Sequence, residues 1–253
     1  MKETIIIEKC KINLRSPILL VGLPGIGLIG QVVCKYVAHK MNGKKIADLF
    51  SPHFPHQVLM TKKGTIRSIK NMFYHVKINK LDLVLLLGDV QAITPEGQYE
   101  VAGKIVDYAK TIGVKNIICI GGYSTGKFNE NRRVFGVVTH RHLIPKFKKV
   151  NVIFGEARGA ILGAAGIIPA IAKINGMHAA CIMGETHGGY VDAISARNVI
   201  NVLEKLLNFS IDLTDLEKQA KEGEKIIKKI EDEIQKQVIA PYETEKKDIS
   251  YIR

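Results

Sequence analysis

The sequence predicts an α/β fold, a mostly parallel sheet flanked by helices, with a protruding amphipathic helix towards the C-terminal end. Three observations carry this expectation. Short apolar runs of strand type alternate with helical patterns, as they do in βαβ units. Residues 83–87 are five apolar side chains in succession, the pattern of a strand covered on both faces. Several such runs stop at glycines, namely Gly22, Gly88, Gly121-Gly122 and Gly184, which places strand ends at turn chemistry.

The elements follow in order. Residues 18–22 form a buried strand, then a glycine-rich turn, then a helix to about Met41. Strand-like pieces recur at 45–50, 57–61 and 73–78, with Pro52 and Pro55 punctuating the first connection. After the 83–87 strand, Thr94 has the character of an N-cap, Pro95 suits the first helical position and Glu96 suits the first turn. That helix runs to about Thr111 and stops at Gly113. Residues 116–120 read as a buried strand, 133–139 as another and 151–154 as a short one. The Ala-, Ile- and Gly-rich stretch 159–175 predicts a helix buried on several sides, and 178–183 a strand. Residues 192–209 complete the body as a long amphipathic helix with Ile194, Val199, Val202, Leu203, Leu206 and Leu207 on its apolar side.

Composition narrows the class. Of 253 residues 46% are hydrophobic, which excludes a disordered chain. Cys10, Cys34, Cys119 and Cys181 lie far apart without a CxxC pair, so neither a disulfide framework nor a zinc ribbon is expected. The apolar run at Ile5–Ile7 is too short for a signal-peptide core, and the uncharged stretch 159–172 is shorter than a bilayer span and contains Pro169. The expectation is a soluble, cytoplasmic protein without a membrane partner.

The formal charge of +13 is unevenly spread. Residues 212–253 hold eleven acidic and nine basic side chains, a net of −2, which leaves 28 basic and 13 acidic for residues 1–211, a net of +15. A basic body attracts anionic partners. Its clusters Lys62-Lys63, Arg132-Arg133 and Lys146 to Lys149 lie apart, and Phe and Tyr are scattered rather than interleaved throughout as stacking platforms. A solvated surface or an acidic partner protein therefore fits better than nucleic acid.

The C-terminal segment differs in kind. Leu213, Leu216, Ala220, Gly223, Ile227, Ile230 and Ile234 are spaced alternately by three and four amid dense charge, a narrow heptad-like stripe. It predicts a helical arm at 212–239 that buries a seam against a partner or a second copy, with Leu216, Ile227, Ile230 and Ile234 as self-association residues. The alternative is a charged helix lying along its own domain. Pro241 ends the helix and residues 240–253 read as a tail, so the domains expected are 1–211, 212–239 and 240–253.

The turn at 22–30 contains GxGxxG at Gly25, Gly27 and Gly30, and Asp48 follows about where a ribose-binding acid belongs. This matches the dinucleotide fingerprint. However, Leu23-Pro24 intervenes after the strand, and Pro24 lacks a donor N–H. The other reading is a tight strand-to-helix turn whose glycines permit close packing.

The run Gly22-Leu-Pro-Gly-Ile-Gly-Leu-Ile-Gly30 resembles the proteasome assembly chaperone family, in particular its archaeal members. Further agreement comes, in order, from Gly88-Asp89-Val90-Gln91, Thr94-Pro95-Glu96-Gly97, Gly121-Gly122-Tyr123, Gly155-Glu156-Ala157-Arg158-Gly159 with Ile161 and Gly163, and Gly184-Glu185-Thr186. The resemblance spans about residues 14–207. It implies a fold similar to nucleoside phosphorylases and hydrolases, used to bind proteasome subunits. It also implies that a C-terminal tail, typically a hydrophobic residue, a Tyr and one last residue, docks between α-subunits of the core particle through its carboxylate and a pocket Lys. In this sequence Ile249, Tyr251, Ile252 and Arg253 occupy that tail, with Tyr251 antepenultimate rather than penultimate. The partners implied are proteasome α-subunits, bound by a homo-oligomer with four subunits as the expectation. No catalytic residue, metal or cofactor is expected.

An enzyme is the alternative. The glycine-terminated strands place Asp89, Glu96, Glu156, Arg158, Glu185 and His187 along one rim, where α/β proteins bind ligands. Arg with glycine N–H groups could hold phosphate, and a carboxylate with His could exchange protons. None forms a specific signature. His53-x-x-His56 and His140-x-His142 lack a third ligand at metal-site spacing, and Ser124 and Ser195 lack a nucleophile elbow. Glu156 and Arg158 read as a structural ion pair. The second function class is accordingly a phosphate- or nucleotide-binding enzyme of nucleosidase or hydrolase type, using the turn at 22–30.

Overall fold

The computed structural model of the chain describes residues 1–127, 129, 131–216 and 218. The first strand is β1 (Ile5–Glu8), followed by β2 (Ile18–Gly22), a single 3₁₀ turn at Ile26–Leu28 and α1 (Ile29–Lys40). Next come β3 (Lys44–Phe50), β4 (Val58–Met60), β5 (Ile66–Ser68), β6 (Asn71–Ile78), β7 (Leu81–Gly88) and α2 (Pro95–Thr111). The chain continues through β8 (Asn116–Ser124), β9 (Val134–Val138), α3 (Ile144–Lys148), α4 (Ala164–Ile174), β10 (His178–Thr186) and α5 (Ala193–Leu207).

Eight strands form one sheet in the order β1-β3-β6-β7-β2-β8-β10-β9, and β4 pairs with β5 in a separate hairpin. The expected parallel arrangement occupies the centre: β7, β2, β8 and β10 run parallel, while the flanking pairs are antiparallel. The antiparallel flank has a local cause. Only Asn79 and Lys80 separate β6 from β7, and Asn79 takes φ 52°, as a two-residue hairpin turn requires. So short a connection cannot make a parallel crossover.

Side chains alternate across the sheet and sort into two cores. Leu19 and Val21 join α2 and α4 on one face, whereas Leu20 joins α1 and α5 on the other. The α2 terminus follows the sequence expectation: Thr94 Oγ1 accepts the Gly97 N–H at 3.1 Å, with Pro95 at the first position. At α5, Asp192 caps through the Ser195 N–H at 2.9 Å.

Several expectations are corrected. The helix foreseen at 159–175 begins only at Ala164, because Gly159 and Gly163 take φ 108° and 70°, and its buried residues are Ala164, Ile168, Pro169 and Ala172. Residues 151–154 form no strand and make one isolated bridge, Phe135 to Ile153. Strands β8 and β10 continue past Gly121-Gly122 and Gly184. β1, β5 and α3 lie where no element was expected. No described helix is long and apolar enough to cross a membrane.

The start of the C-terminal segment is tied to the body. Tyr36 Oη donates to the Asp212 carbonyl at 2.8 Å, and Lys40 Nζ lies 2.7 Å from Asp215 and 3.3 Å from Asp212. Leu216 is fully buried in the core that α1 and α5 share, and Leu213 packs on that core. Leu216, expected as a self-association residue, is thus buried within the protomer. The other self-association residues, Ile227, Ile230 and Ile234, and the tail residues Ile249, Tyr251, Ile252 and Arg253, lie outside the described residues.

Candidate functional site

The C-terminal ends of β2, β8 and β10 meet the glycine turn and the 157–164 segment around a cavity of about 540 Å³. A site at this end of the parallel strands is where open α/β sheets bind ligands. Gln91 joins its two walls: its side-chain N–H donates to the Pro24 carbonyl, and its Oε1 accepts the Ala164 N–H at 2.9 Å. Tyr123 lines the cavity from β8 and packs edge-to-face on Phe135, their centroids 5.0 Å apart.

The glycines of the turn explain themselves by packing. A Cβ on Gly22 would stand 2.0 Å from the Gly30 carbonyl oxygen, and one on Gly30 would stand 2.4 Å from that of Ile120. One on Gly122 would meet the Ile26 carbonyl oxygen at 2.4 Å. Their absence lets the start of α1 sit directly on β2 and β8. Gly27 needs glycine for its φ of 64°, and its carbonyl accepts the Asp192 N–H at 3.0 Å.

Asp48, the candidate ribose acid, is not near this turn. β3 is separated from β2 by β6 and β7, so three inter-strand steps, roughly 14 Å, intervene. Its carboxylate is instead surrounded by Lys70 at 2.9 Å, Lys45 at 3.2 Å and Lys9 at 3.6 Å. The dinucleotide fingerprint therefore fails in its acidic member.

The rim residues divide. Glu185 is buried and held by Arg133, Nε to Oε2 at 2.9 Å and Nη2 to Oε1 at 3.2 Å, with the Arg133 backbone N–H at 3.1 Å. Burial alone would raise its pKa, but these hydrogen bonds outweigh it and hold the carboxyl below its ordinary range. Glu156 pairs with Arg133 at 3.1 Å, so the expected Glu156–Arg158 pair is replaced. Asp89 forms a two-pronged pair with Arg67 at 2.6 and 3.2 Å and accepts the Lys70 N–H at 3.0 Å. Glu96 is exposed on the first turn of α2. His187 stacks on Tyr190 at 6.1 Å, and its carbonyl accepts from Ser124 Oγ at 2.8 Å. Glu185 thus turns to Arg133.

His53 meets Glu100 at 2.8 Å, whereas His56 is exposed. His140 and His142 acquire a third ring, His178 from β10, with centroids 4.8 to 5.6 Å apart. Desolvation first, and the neighbouring rings second, lower the His140 pKa. Among the described residues no group of three His, Cys, Asp or Glu is arranged to hold a metal ion. The Ser195 side chain is buried against Gly184.

The sequence reading missed Arg132, which is buried beside Asp192 with Nε to Oδ2 at 3.1 Å and Nη2 to the Tyr190 hydroxyl at 2.9 Å. Thr186 Oγ1 donates to the same carboxylate at 2.8 Å. This network locks β10, α5 and the glycine turn together. A basic doublet read as surface charge gave no signal that one member is interior.

Comparison with known proteins agrees with this architecture. An uncharacterized protein of Methanocaldococcus jannaschii is 36% identical over 242 residues, covering 94% of this chain and 93% of that protein. The crystal structure of Pyrococcus furiosus PbaB, described as an archaeal proteasome activator, superposes with a TM-score of 0.87 at 38% identity, covering 91% of this chain and all of that one. Pyrococcus furiosus PbaA, described as an archaeal homolog of proteasome-assembly chaperone, shares the fold with a TM-score of 0.76 at 23% identity, over 93% and 94% of the two chains. The sequence model of the PAC2 family matches residues 19–231, and the chain belongs to the PAC2 family.

Proposed function

We propose that this protein is a non-enzymatic partner of the proteasome core particle, which binds its α-subunits and promotes its assembly. The observation that carries this reading is the 38% identity to PbaB across 91% of this chain and the whole of that one. The body, residues 1–211, serves as a platform. The arm, 212–239, brings copies together into a homo-oligomer, a tetramer in the simplest form, through Ile227, Ile230 and Ile234, while Leu216 anchors the arm to its own body. The tail, 240–253, presents Ile249, Tyr251, Ile252 and Arg253. Several weak tails on one oligomer raise each other's effective concentration, so no single tail must bind tightly.

A second reading has support from the same comparison. The relative described as an activator is 38% identical, whereas the one described as an assembly-chaperone homolog is 23% identical. Binding to α-subunits is common to both readings, and the later step separates them.

The test mixes purified α- and β-subunits with the protein and follows assembled core particle on native gels, with peptide hydrolysis by preassembled particle measured in parallel. Faster assembly supports the first reading. Faster hydrolysis by preassembled particle with unchanged assembly supports activation. No effect on either would overturn the proposal.

A further inference from the structure

We infer that the cavity between the glycine turn and the 157–164 segment is a binding site for a small organic anion, an apolar body carrying one negatively charged group. This goes beyond the proteasome reading and does not depend on it.

Three features of the cavity lead there. Its volume, about 540 Å³, lies within the usual range for small-molecule sites, roughly 300–1,000 Å³. Its lining is mainly apolar, from Leu23 and Ile26 on one side to Ile161 and Leu162 on the other, and Leu162 is 84% exposed.

The third feature is electrostatic. Among the described residues Arg158 is the one charged residue in the lining, and no Asp or Glu accompanies it. The neighbouring Arg133 pairs with Glu156 and Glu185, and Arg132 with Asp192. Arg158 makes no ion pair or hydrogen bond among the described residues, although the sequence places Glu156 two positions away. Tyr123 also lines the cavity, and the Ala165 N–H in the first turn of α4 has no hydrogen-bond partner among the described residues, whereas both ends of the Gln91 amide are engaged. A guanidinium with nearby donors and no carboxylate selects an anion, and the apolar walls select the body that carries it.

The size and lining suit an aromatic or branched aliphatic acid. They do not suit a dinucleotide, because Asp48 lies across the sheet and the turn glycines are filled by their own neighbours.

The probes are 8-anilinonaphthalene-1-sulfonate, an aromatic body with one sulfonate, and its uncharged counterpart N-phenyl-1-naphthylamine. Fluorescence titration of the full chain is expected to show saturable binding of the sulfonate at one site per chain. Arg158→Ala is expected to weaken the sulfonate about tenfold and the uncharged probe less than twofold. Ala165→Phe fills the cavity and is expected to abolish both. Ala160→Trp, at an exposed lining position, does the same if the first variant unfolds, as thermal melting shows. Met60→Ser, on the exposed β4–β5 hairpin, is expected to leave binding unchanged. Sulfonate binding that is non-saturable, indifferent to Arg158→Ala, or retained when the cavity is filled would overturn the inference, as would its loss in Met60→Ser.

Discussion

Arg132 and Asp192 form an ion pair inside the protein, 60 residues apart in sequence, with Nε 3.1 Å from Oδ2 and side-chain exposures of 4% and 1%. The carboxylate also accepts from Thr186 and from the Ser195 N–H, so it caps α5 and closes β10 at once. The Asp192 N–H in turn donates to Gly27. One buried pair therefore fixes the end of β10, the start of α5 and the middle of the glycine turn.

Removing one partner leaves the other charge buried. Arg132→Ala is expected to lower stability by about 3–5 kcal/mol, far more than an ordinary surface substitution. Chemical denaturation measures this. A loss below about 1 kcal/mol would show that water or a neighbouring group replaces the guanidinium.

The glycine turn separates packing from ligand roles position by position. Gly30→Ala places a Cβ 2.4 Å from the Ile120 carbonyl oxygen and is expected to cost about 2 kcal/mol or more. Gly25→Ala meets only the Gln91 side chain, at 3.8 Å, in an extended backbone, and is expected to stay within about 0.5 kcal/mol of the parent. Thermal unfolding of the two variants decides. Equal effects would contradict the packing account.

Three buried carboxylates set the acid limit of stability. For Asp48, Asp82 and Glu185 burial alone would raise the pKa, but donors outweigh it and all three are lowered. Those donors are Lys70 and Lys45 for Asp48, the Arg15 N–H, His75 and Lys77 for Asp82, and Arg133 for Glu185. A carboxyl with a depressed folded pKa contributes stability that is complete above its unfolded value, about 4, and is lost as pH falls from there through the folded value. The unfolding midpoint is expected to be steady from pH 7 to 5 and to fall steeply below about pH 4. Asp82→Asn is expected to start lower and fall less. A midpoint independent of pH between 5 and 2 would contradict this.

Local signals carried well from sequence to structure. Thr94-Pro95 announces a helix start through side-chain and ring chemistry that acts within one turn. The 83–87 run announces a central strand because both its faces are covered. Strand order did not carry, since the sequence does not show that β3 returns next to β6 rather than β2, and Asp48 looked closer to the turn than it is. Gly159 and Gly163 signal a delayed helix start, against the apolar composition of the stretch, which signals a helix throughout. Leu216 shows the limit of a stripe: its spacing marks a helix face but not whether that face meets its own body or another chain. In the site, the glycine positions were legible, whereas the Arg132–Asp192 pair, and an Arg158 without an ion pair among the described residues, depend on contacts across β10 and the rim.

The central claim concerns the tail. In a pulldown with purified proteasome α-subunits, the full chain is expected to retain them, and a chain cut after Val238 to lose them while keeping a cooperative thermal transition. Equal retention by the two would contradict the tail mechanism, and retention by neither would contradict the partner itself.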